Sequence, residues 1–279
     1  MAFGTGRIKL VLTVSSLALL VACGAREEDV SLESLTAQQI YEQAEFELET
    51  QNEPARAAEL FSEIERLYPY SELAKRALIM QAYSFHQDRD YENSRSAAQR
   101  YIDFYPADED AAYAQYLLAL SYYDQIDEIG RDQGLTFQAL QGLRTVIERY
   151  PDSEYARSAI LKFDLAFDHL AAKEMEVGRY YLRRGHFTAA INRFRVVVEE
   201  FQTTSHTPEA LLRLIEAYLA LGFEGEAQAA GAILGYNFQS SEFYQSGYDL
   251  LTGQGLEPGA RGTGWLAQIY RQTIRGEWL

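Results

Sequence analysis

The 279-residue sequence has a single cysteine, only six prolines and a deficit of basic side chains. One cysteine excludes an intramolecular disulfide, and the four histidines lack the spacing of a metal site. The 25 Lys and Arg residues against 41 Asp and Glu give a formal net charge of −16. Because phosphate recognition needs a basic surface, we do not expect nucleic acid as a partner. Few prolines, with alanine and tyrosine at helical spacing, favour an all-helical protein.

Enzyme motifs are missing as well. The sequence has no phosphate-binding glycine loop, no nucleophile elbow and no zinc-protease histidine pair. Asp164 and Asp168 lie four residues apart and could form a carboxylate pair, but lysines nearby favour a solvated helix face. We therefore predict no catalytic residue, no metal and no cofactor.

The N-terminus predicts a secreted lipoprotein. Arg7 and Lys9 precede the apolar run Leu10–Leu20, which is too short to remain as a membrane-spanning helix. The sequence Leu20-Val21-Ala22-Cys23 that closes this region resembles the bacterial lipobox. The resemblance implies that residues 1–22 are a signal peptide and that Cys23 carries N-acyl and S-diacylglycerol groups.

The residues after the cysteine indicate where the anchor resides. Gly24 stands where an aspartate would favour the inner membrane under the sorting rule of enteric bacteria. We therefore expect an anchor in the outer membrane, on its periplasmic face. Residues 23–35 are short, polar and acidic, which predicts a tether between the anchor and the folded part.

A repeat organises the mature chain, and it is clearest in Val177–Phe201. Apolar residues recur there at steps of three and four, which predicts a helix with one buried face. Gly178, Tyr181 and Phe194 fit the small and aromatic positions of the 34-residue tetratricopeptide template. Because one helix pair cannot bury both of its faces, we expect stacked copies.

Helix-ending aromatic residues mark the boundaries of the copies, at Tyr68, Tyr105, Tyr150, Phe201 and Phe238. They predict an all-α tetratricopeptide-repeat superhelix of about five helix pairs, followed by one more helix to residue 251. The predicted pairs are residues 36–69, 70–106, 107–151, 152–202 and 203–239.

Two spacings are longer than the others. In the third pair, the acidic residues 125–136 with two glycines predict a loop between the two helices. Residues 153–176 contain neither glycine nor proline, so the chain there forms one helix of roughly thirty residues or two helices meeting near His169. Residues 252–279 predict a glycine-rich linker and a short helix, which docks on a partner, docks on the fifth pair, or frays.

Two groups of residues are candidates for binding. Phe46, Tyr83 and Tyr116 fall in first-helix positions that face the concave side of such superhelices, where aromatic side chains suit an extended peptide. Arg179, Arg183 and Arg184 form a small basic cluster that could take an acidic partner.

With these motifs placed, the chain resembles the BamD family, the lipoproteins of the bacterial outer-membrane barrel-assembly (BAM) machine. The resemblance covers residues 34–239. Its marks are Arg66-Leu67-Tyr68-Pro69, Arg100-Tyr101-Ile102 before Pro106, Arg131-Asp132, Tyr150-Pro151-Asp152-Ser153-Glu154-Tyr155, and Tyr180-Tyr181 through Arg184-Gly185 to Asn192-Arg193.

The resemblance implies a non-catalytic factor of the BAM complex. Such a factor binds the periplasmic domains of the barrel protein BamA, joins other BAM lipoproteins and receives unfolded outer-membrane barrel proteins. It also implies that Arg193, with Asn192 and Arg184, contacts BamA. The alternative is a periplasmic repeat lipoprotein that coordinates cell-envelope or cell-division machinery. A peptidoglycan-active enzyme is a third class, but the sequence lacks a catalytic constellation.

Overall fold

The chain is seen in a computed structural model that describes residues 31–127, 133–259 and 264–274. Within these ranges it forms twelve α-helices and no strand, so the predicted all-α class is confirmed. The helices are α1 (Ala37–Phe46), α2 (Pro54–Leu67), α3 (Glu72–Gln87), α4 (Tyr91–Phe104), α5 (Ala111–Tyr123), α6 (Gly134–Arg149), α7 (Glu154–Arg183), α8 (Phe187–Glu200), α9 (Thr207–Leu221), α10 (Glu224–Asn237), α11 (Glu242–Thr252) and α12 (Trp265–Ile269).

The helices α1 to α10 form five antiparallel pairs, and each helix packs on the next one in the sequence. We call these pairs units one to five. α11 follows unit five and packs on α9 and α10. This stack is the predicted tetratricopeptide arrangement of about five helix pairs. None of the helices in the described ranges combines the length and apolarity needed to cross a bilayer.

Local chemistry sets where the helices begin and end. Thr36 starts α1 with a capping box, in which its hydroxyl accepts from the Gln39 amide and its own amide donates to the Gln39 side chain. α2, α4 and α6 each end at a tyrosine whose amide still bonds into the last turn, and the proline that follows stops the helix. Gly185 follows the end of α7 with a φ of +74°, a left-handed conformation that glycine adopts without a steric penalty.

The helix α7 settles the open question about residues 153–183. It is one continuous helix of 30 residues, which is about 45 Å long. Its N-terminal half packs on unit three through Ala159, and its C-terminal half packs on α8 through Gly178, so units three and four share it. Its middle turns expose Ile160, Leu161 and Leu165.

Small residues let the helices approach closely. Gly142 of α6 faces Ala119 of α5, and a Cβ at 142 would lie 2.9 Å from the Ala119 Cβ. Gly178 of α7 faces the ring of Phe194, which is completely buried in α8. The small-residue position predicted for Gly178 is therefore a packing requirement.

The C-terminal segment docks on unit five. The Gly259 amide donates to the Gln228 carbonyl, and the Gln228 side chain donates to the Glu257 carbonyl, so residues 257–259 run along α10. α12 then continues into a π-helical turn, Tyr270–Ile274, and Leu266 is completely buried. The predicted glycine-rich linker is therefore held against α10 at residues 257–259, whereas residues 252–255 are exposed.

Several predicted features lie wholly or partly outside the residues that the structure describes. The signal peptide and Cys23 lie outside the described residues, as do Arg131 and Asp132 of the predicted unit-three loop. Of the tether, Leu32–Ser34 form a short 3-10 turn, and the hydroxyl of Tyr68 donates to the Leu35 carbonyl.

Candidate partner-binding site

Arg193 lies on the outer face of α8, away from the stripe of buried residues that packs on α7 and α9. Its side chain is 45% exposed, and its Nη1 lies 3.1 Å from the Glu174 Oε2 of α7. The second carboxylate oxygen of Glu174 is 3.4 Å away, so the guanidinium uses one nitrogen for this pair. The remaining donors of the fork face solvent, where a second carboxylate can reach them.

The other two residues predicted for partner contact lie at different places on unit four. Asn192 is exposed beside Arg193 on α8. Arg184 sits at the turn between α7 and α8, where its guanidinium covers the ring of Tyr180 at 4.5 Å. Tyr180 is itself 45% exposed, which gives this turn a half-open aromatic and cationic surface. Asn192 and Arg193 are consecutive exposed residues in the middle of α8, and Arg184 lies at the turn that joins α7 to α8.

One arginine of the basic cluster has a structural role that sequence reasoning missed. Arg179 Nη1 lies 2.9 Å from Glu209 Oε2 on α9, and Arg213 binds both Glu209 and Glu216. This chain of ion pairs ties α7 to α9. Because Glu209 lies 30 residues beyond Arg179, no local pattern in the sequence indicates the contact.

The three predicted groove aromatics lie on the first helices of units one to three and differ in exposure. Phe46 on α1 is 49% exposed. Tyr83 on α3 is half-buried and lines a shallow groove with Leu48 and Met80. These two side chains present ring surface to solvent.

Tyr116 does not face a concave groove, as the sequence predicts, but is buried. It is 8% exposed, its hydroxyl hydrogen-bonds the Ser158 hydroxyl at 2.6 Å, and its ring stacks on Tyr155 at 5.4 Å. The sequence places it in an aromatic slot, but α7 covers that slot. Tyr116 therefore packs the interface between α5 and α7 and leaves no ring face for a ligand.

Tyr113 and Tyr155 extend this aromatic cluster, and sequence reasoning did not single them out for binding. Their ring centroids are 5.0 Å apart. Burial raises the pKa of Tyr113, and burial with a hydrogen bond to Glu154 raises the pKa of Tyr155 to about 12. Both rings are therefore packing groups of the interface between α5 and α7.

In the described ranges, no three His, Cys, Asp or Glu side chains are grouped as a metal site requires. Two of the four histidines lie near single carboxylates, His86 at 3.1 Å from Asp124 and His206 at 3.3 Å from Asp168, and burial lowers the pKa of His86. Asp168 also accepts from the Ser205 amide and hydroxyl, so it fixes the loop before α9. Stacked helix pairs of this kind define a tetratricopeptide-type repeat protein.

Comparison with known proteins gives the family. A family model described as "YfiO: Outer membrane lipoprotein" matches residues 33–233. The "Outer membrane protein assembly factor BamD" of Caulobacter vibrioides is 48% identical over 202 residues, which are 72% of this chain and 66% of that protein. The proteins of the same name from Rickettsia prowazekii and Neisseria meningitidis serogroup A are 43% and 29% identical, over 70% and 84% of this chain and 78% and 93% of their own lengths. The chain belongs to this BamD family of outer membrane lipoproteins.

Proposed function

We propose that the chain is a non-catalytic outer-membrane protein assembly factor. The observation that carries the proposal is the 48% identity with the Caulobacter protein of that name over 202 residues. The family match at residues 33–233 includes nearly all of units one to five. A factor of this kind acts by holding partners and clients, and a stack of helix pairs offers long surfaces for both.

The proposed location is the periplasmic face of the outer membrane, with acyl chains on Cys23 as the anchor. The lipobox-like sequence ending at Cys23 supports this location. Each buried CH₂ of an acyl chain contributes about 0.8 kcal/mol, so several chains hold the protein firmly. Cys23→Ala removes the thiol that receives the lipid, and we expect an uncleaved, unacylated precursor. Recovery of that variant with the outer membrane, cleaved at the same site, would contradict the anchor.

The proposed partner is the periplasmic part of BamA, with unit four as the contact surface. Arg193 and Asn192 lie side by side on α8, and the solvent-facing donors of Arg193 suit a carboxylate of the partner. Arg184 and Tyr180 add a second exposed contact on the same unit. Other BAM lipoproteins would join the complex elsewhere on the chain.

The proposed client is the C-terminal segment of an unfolded barrel protein, whose final strand alternates aromatic and polar residues. The exposed ring of Phe46 and the half-buried ring of Tyr83 are the proposed contacts for this segment. Replacing both with alanine should weaken crosslinking of such a peptide. Phe104→Ala is the matched control, because Phe104 is 64% exposed but lies on a second helix.

Co-purification from detergent-solubilised outer membrane tests the assembly role as a whole. We expect a barrel protein with periplasmic repeat domains to accompany the chain, together with small lipoproteins. Recovery of peptidoglycan-linked or cell-division proteins in its place would favour the alternative, an envelope-coordinating repeat lipoprotein.

A further inference from the structure

The C-terminal helix α12 covers a groove between α8 and α10. It begins where Gly264 lies against the carboxylate of Glu226, in the first turn of α10. About one turn later, Ile269 lines a pocket together with Ile233, in the second half of α10. α12 therefore runs along α10 in the same direction, from the start of that helix towards its end.

Trp265 holds α12 in this groove. Its indole nitrogen donates to the Tyr218 hydroxyl at 2.8 Å, and the guanidinium of Arg195 covers its ring at 4.8 Å. The next residue, Leu266, is completely buried. The groove thus recognises an aromatic side chain with a hydrogen-bond donor, followed by an aliphatic side chain.

At its start, α12 leaves a buried carboxylate oxygen without a partner. The Oε2 atom of Glu226 is buried and has no hydrogen-bond partner among the described residues. Burial raises the pKa of this carboxyl, because its charged form is poorly solvated there. Gly264, which lies against the carboxylate, has no side chain with which to pair it. This end of the groove therefore suits a basic side chain that α12 lacks.

At its other end, α12 leaves apolar space. A pocket of about 440 Å³ remains beside Ile269, between the C-terminal ends of α8 and α10. Its apolar walls are formed by Val198, Ile233, Tyr236 and Phe238. Tyr236 has 63% of its surface exposed. A longer apolar helix would bury this surface, so α12 fills only part of the groove.

The tether explains why an imperfect ligand stays bound. A glycine-rich segment joins α12 to α11, and its residues 252–255 are exposed. A flexibly tethered ligand meets its site at an effective concentration in the millimolar range. α12 itself has only five residues, too few for a stable helix in isolation. A free competitor must therefore offer the contacts that α12 does not make.

We infer that α12 is a displaceable intramolecular ligand and that the groove it covers binds a longer amphipathic helix of a partner protein. The partner helix has a basic residue at the position of Gly264, an aromatic residue at that of Trp265 and an aliphatic residue at that of Ile269. A further apolar residue one turn beyond fills the pocket beside Tyr236. Because both helices use the same groove, partner binding and α12 docking exclude each other.

The probe is a peptide of residues 264–274, fluorescently labelled at its C-terminus, in which Gly264→Lys supplies the missing charge. The unaltered peptide is the reference. In an anisotropy titration with the full-length protein, we expect the lysine peptide to bind about tenfold more tightly than the reference. Glu226→Gln in the protein should remove this advantage. Glu224→Gln is the matched control and should retain it, because Glu224 is exposed in the same turn.

Hydrogen exchange and a second variant test the competition. Saturation with the lysine peptide should accelerate amide exchange in α12 of the wild-type protein. Trp265→Ala should undock α12 and tighten binding of the reference peptide about tenfold, because the tethered competitor is removed. Circular dichroism and thermal unfolding should show that unit five stays folded in this variant.

Four outcomes would overturn the inference. A lysine advantage that survives Glu226→Gln reflects the acidic surface of the whole protein. Unchanged exchange in α12 under saturating lysine peptide places the peptide outside the groove. Unfolding of unit five in Trp265→Ala makes α12 a structural cap of the stack. Failure of both peptides to bind the wild-type protein and this variant removes the partner helix.

Discussion

Gly178 lies directly under the ring of Phe194, so close that a Cβ at 178 would be 2.4 Å from the Phe194 Cε1. The ring is completely buried. We expect Gly178→Ala to destabilise the protein by about 1–3 kcal/mol, because overpacking forces the ring or the helix to move. Chemical unfolding of the purified protein measures the change.

A second substitution tests the cause. Phe194→Leu alone loses ring contacts, but in the Gly178→Ala background it should also relieve the clash. The double variant should therefore be more stable than the sum of the two single losses predicts. Strict additivity would contradict the packing explanation.

The turn between α3 and α4 contains a strained residue. Arg89 has a φ of +63°, whereas the equivalent turns of units four and five use Gly185 and Gly222 at φ of +74° and +76°. Because a left-handed conformation costs a residue with a Cβ about 1–2 kcal/mol, Arg89→Gly should stabilise the fold. Thermal unfolding should show a higher midpoint.

The matched control for this turn is Gly185→Ala. Nothing lies within 4 Å of a Cβ at 185, so any loss there is conformational. We expect a decrease similar in size to the gain at Arg89. A lower midpoint for Arg89→Gly would show that the arginine side chain stabilises the turn more than its backbone strain destabilises it.

Arg193→Ala should separate binding from folding. Its exposed pair with Glu174 contributes at most about 1 kcal/mol to stability, so thermal unfolding should change little. Binding to BamA periplasmic domains should weaken by about 2–5 kcal/mol if a partner carboxylate loses its arginine. Calorimetry with the two purified proteins gives this number.

Glu174→Gln gives the opposite test of the same contact. It frees Arg193 from its internal carboxylate, so binding to the partner should strengthen. Arg56→Ala is the control, because Arg56 has similar exposure and pairs with Glu59 on unit one. Unchanged affinity in both Arg193→Ala and Glu174→Gln would remove unit four from the proposed interface.

The environment of Asp108 predicts how the stability of the fold changes in acid. A hydrogen bond from Lys75 at 2.6 Å and one from the Tyr101 hydroxyl at 2.6 Å lower the pKa of Asp108 to about 2. Because the folded-state pKa is depressed, this stabilisation is complete above the unfolded-state pKa of about 3.9 and is lost as the pH falls through 2. Asp108→Asn should therefore destabilise the protein at pH 7, with a smaller difference near pH 2.5. Asp103→Asn, at an exposed site nearby, is the matched control.

The environment of Glu226 predicts the opposite pH dependence for the docking of the C-terminal segment. Burial raises the pKa of this carboxyl, which lies against Gly264, and its Oε2 has no hydrogen-bond partner among the described residues. A raised folded-state pKa means that the protonated form favours the docked state and that docking weakens as the pH rises through that pKa. Glu226→Gln should therefore slow amide hydrogen exchange in α12 at pH 7, and the difference should shrink in acid. Glu224→Gln, in the same first turn but exposed, measures the helix-dipole contribution alone.

The sequence predicts the helix pairs well because periodicity, caps and prolines are local signals. The small residue at Gly178 has its predicted position, and the capping box at Thr36 and the turn at Gly185 show how such local signals set the helix ends. Tyr116 could not be placed from the same signals, because its environment depends on Ser158, 42 residues away. The docking of α12 depends likewise on Tyr218, 47 residues before Trp265.

The shared helix α7 changes how the stack of helix pairs unfolds. In most helical repeats each unit contacts only its neighbours, so the ends can open while the middle stays folded. Units three and four instead hold one uninterrupted helix in common, and melting either half exposes apolar surface in the other. They are therefore a single cooperative block, and the chain has fewer independent unfolding steps than it has repeats.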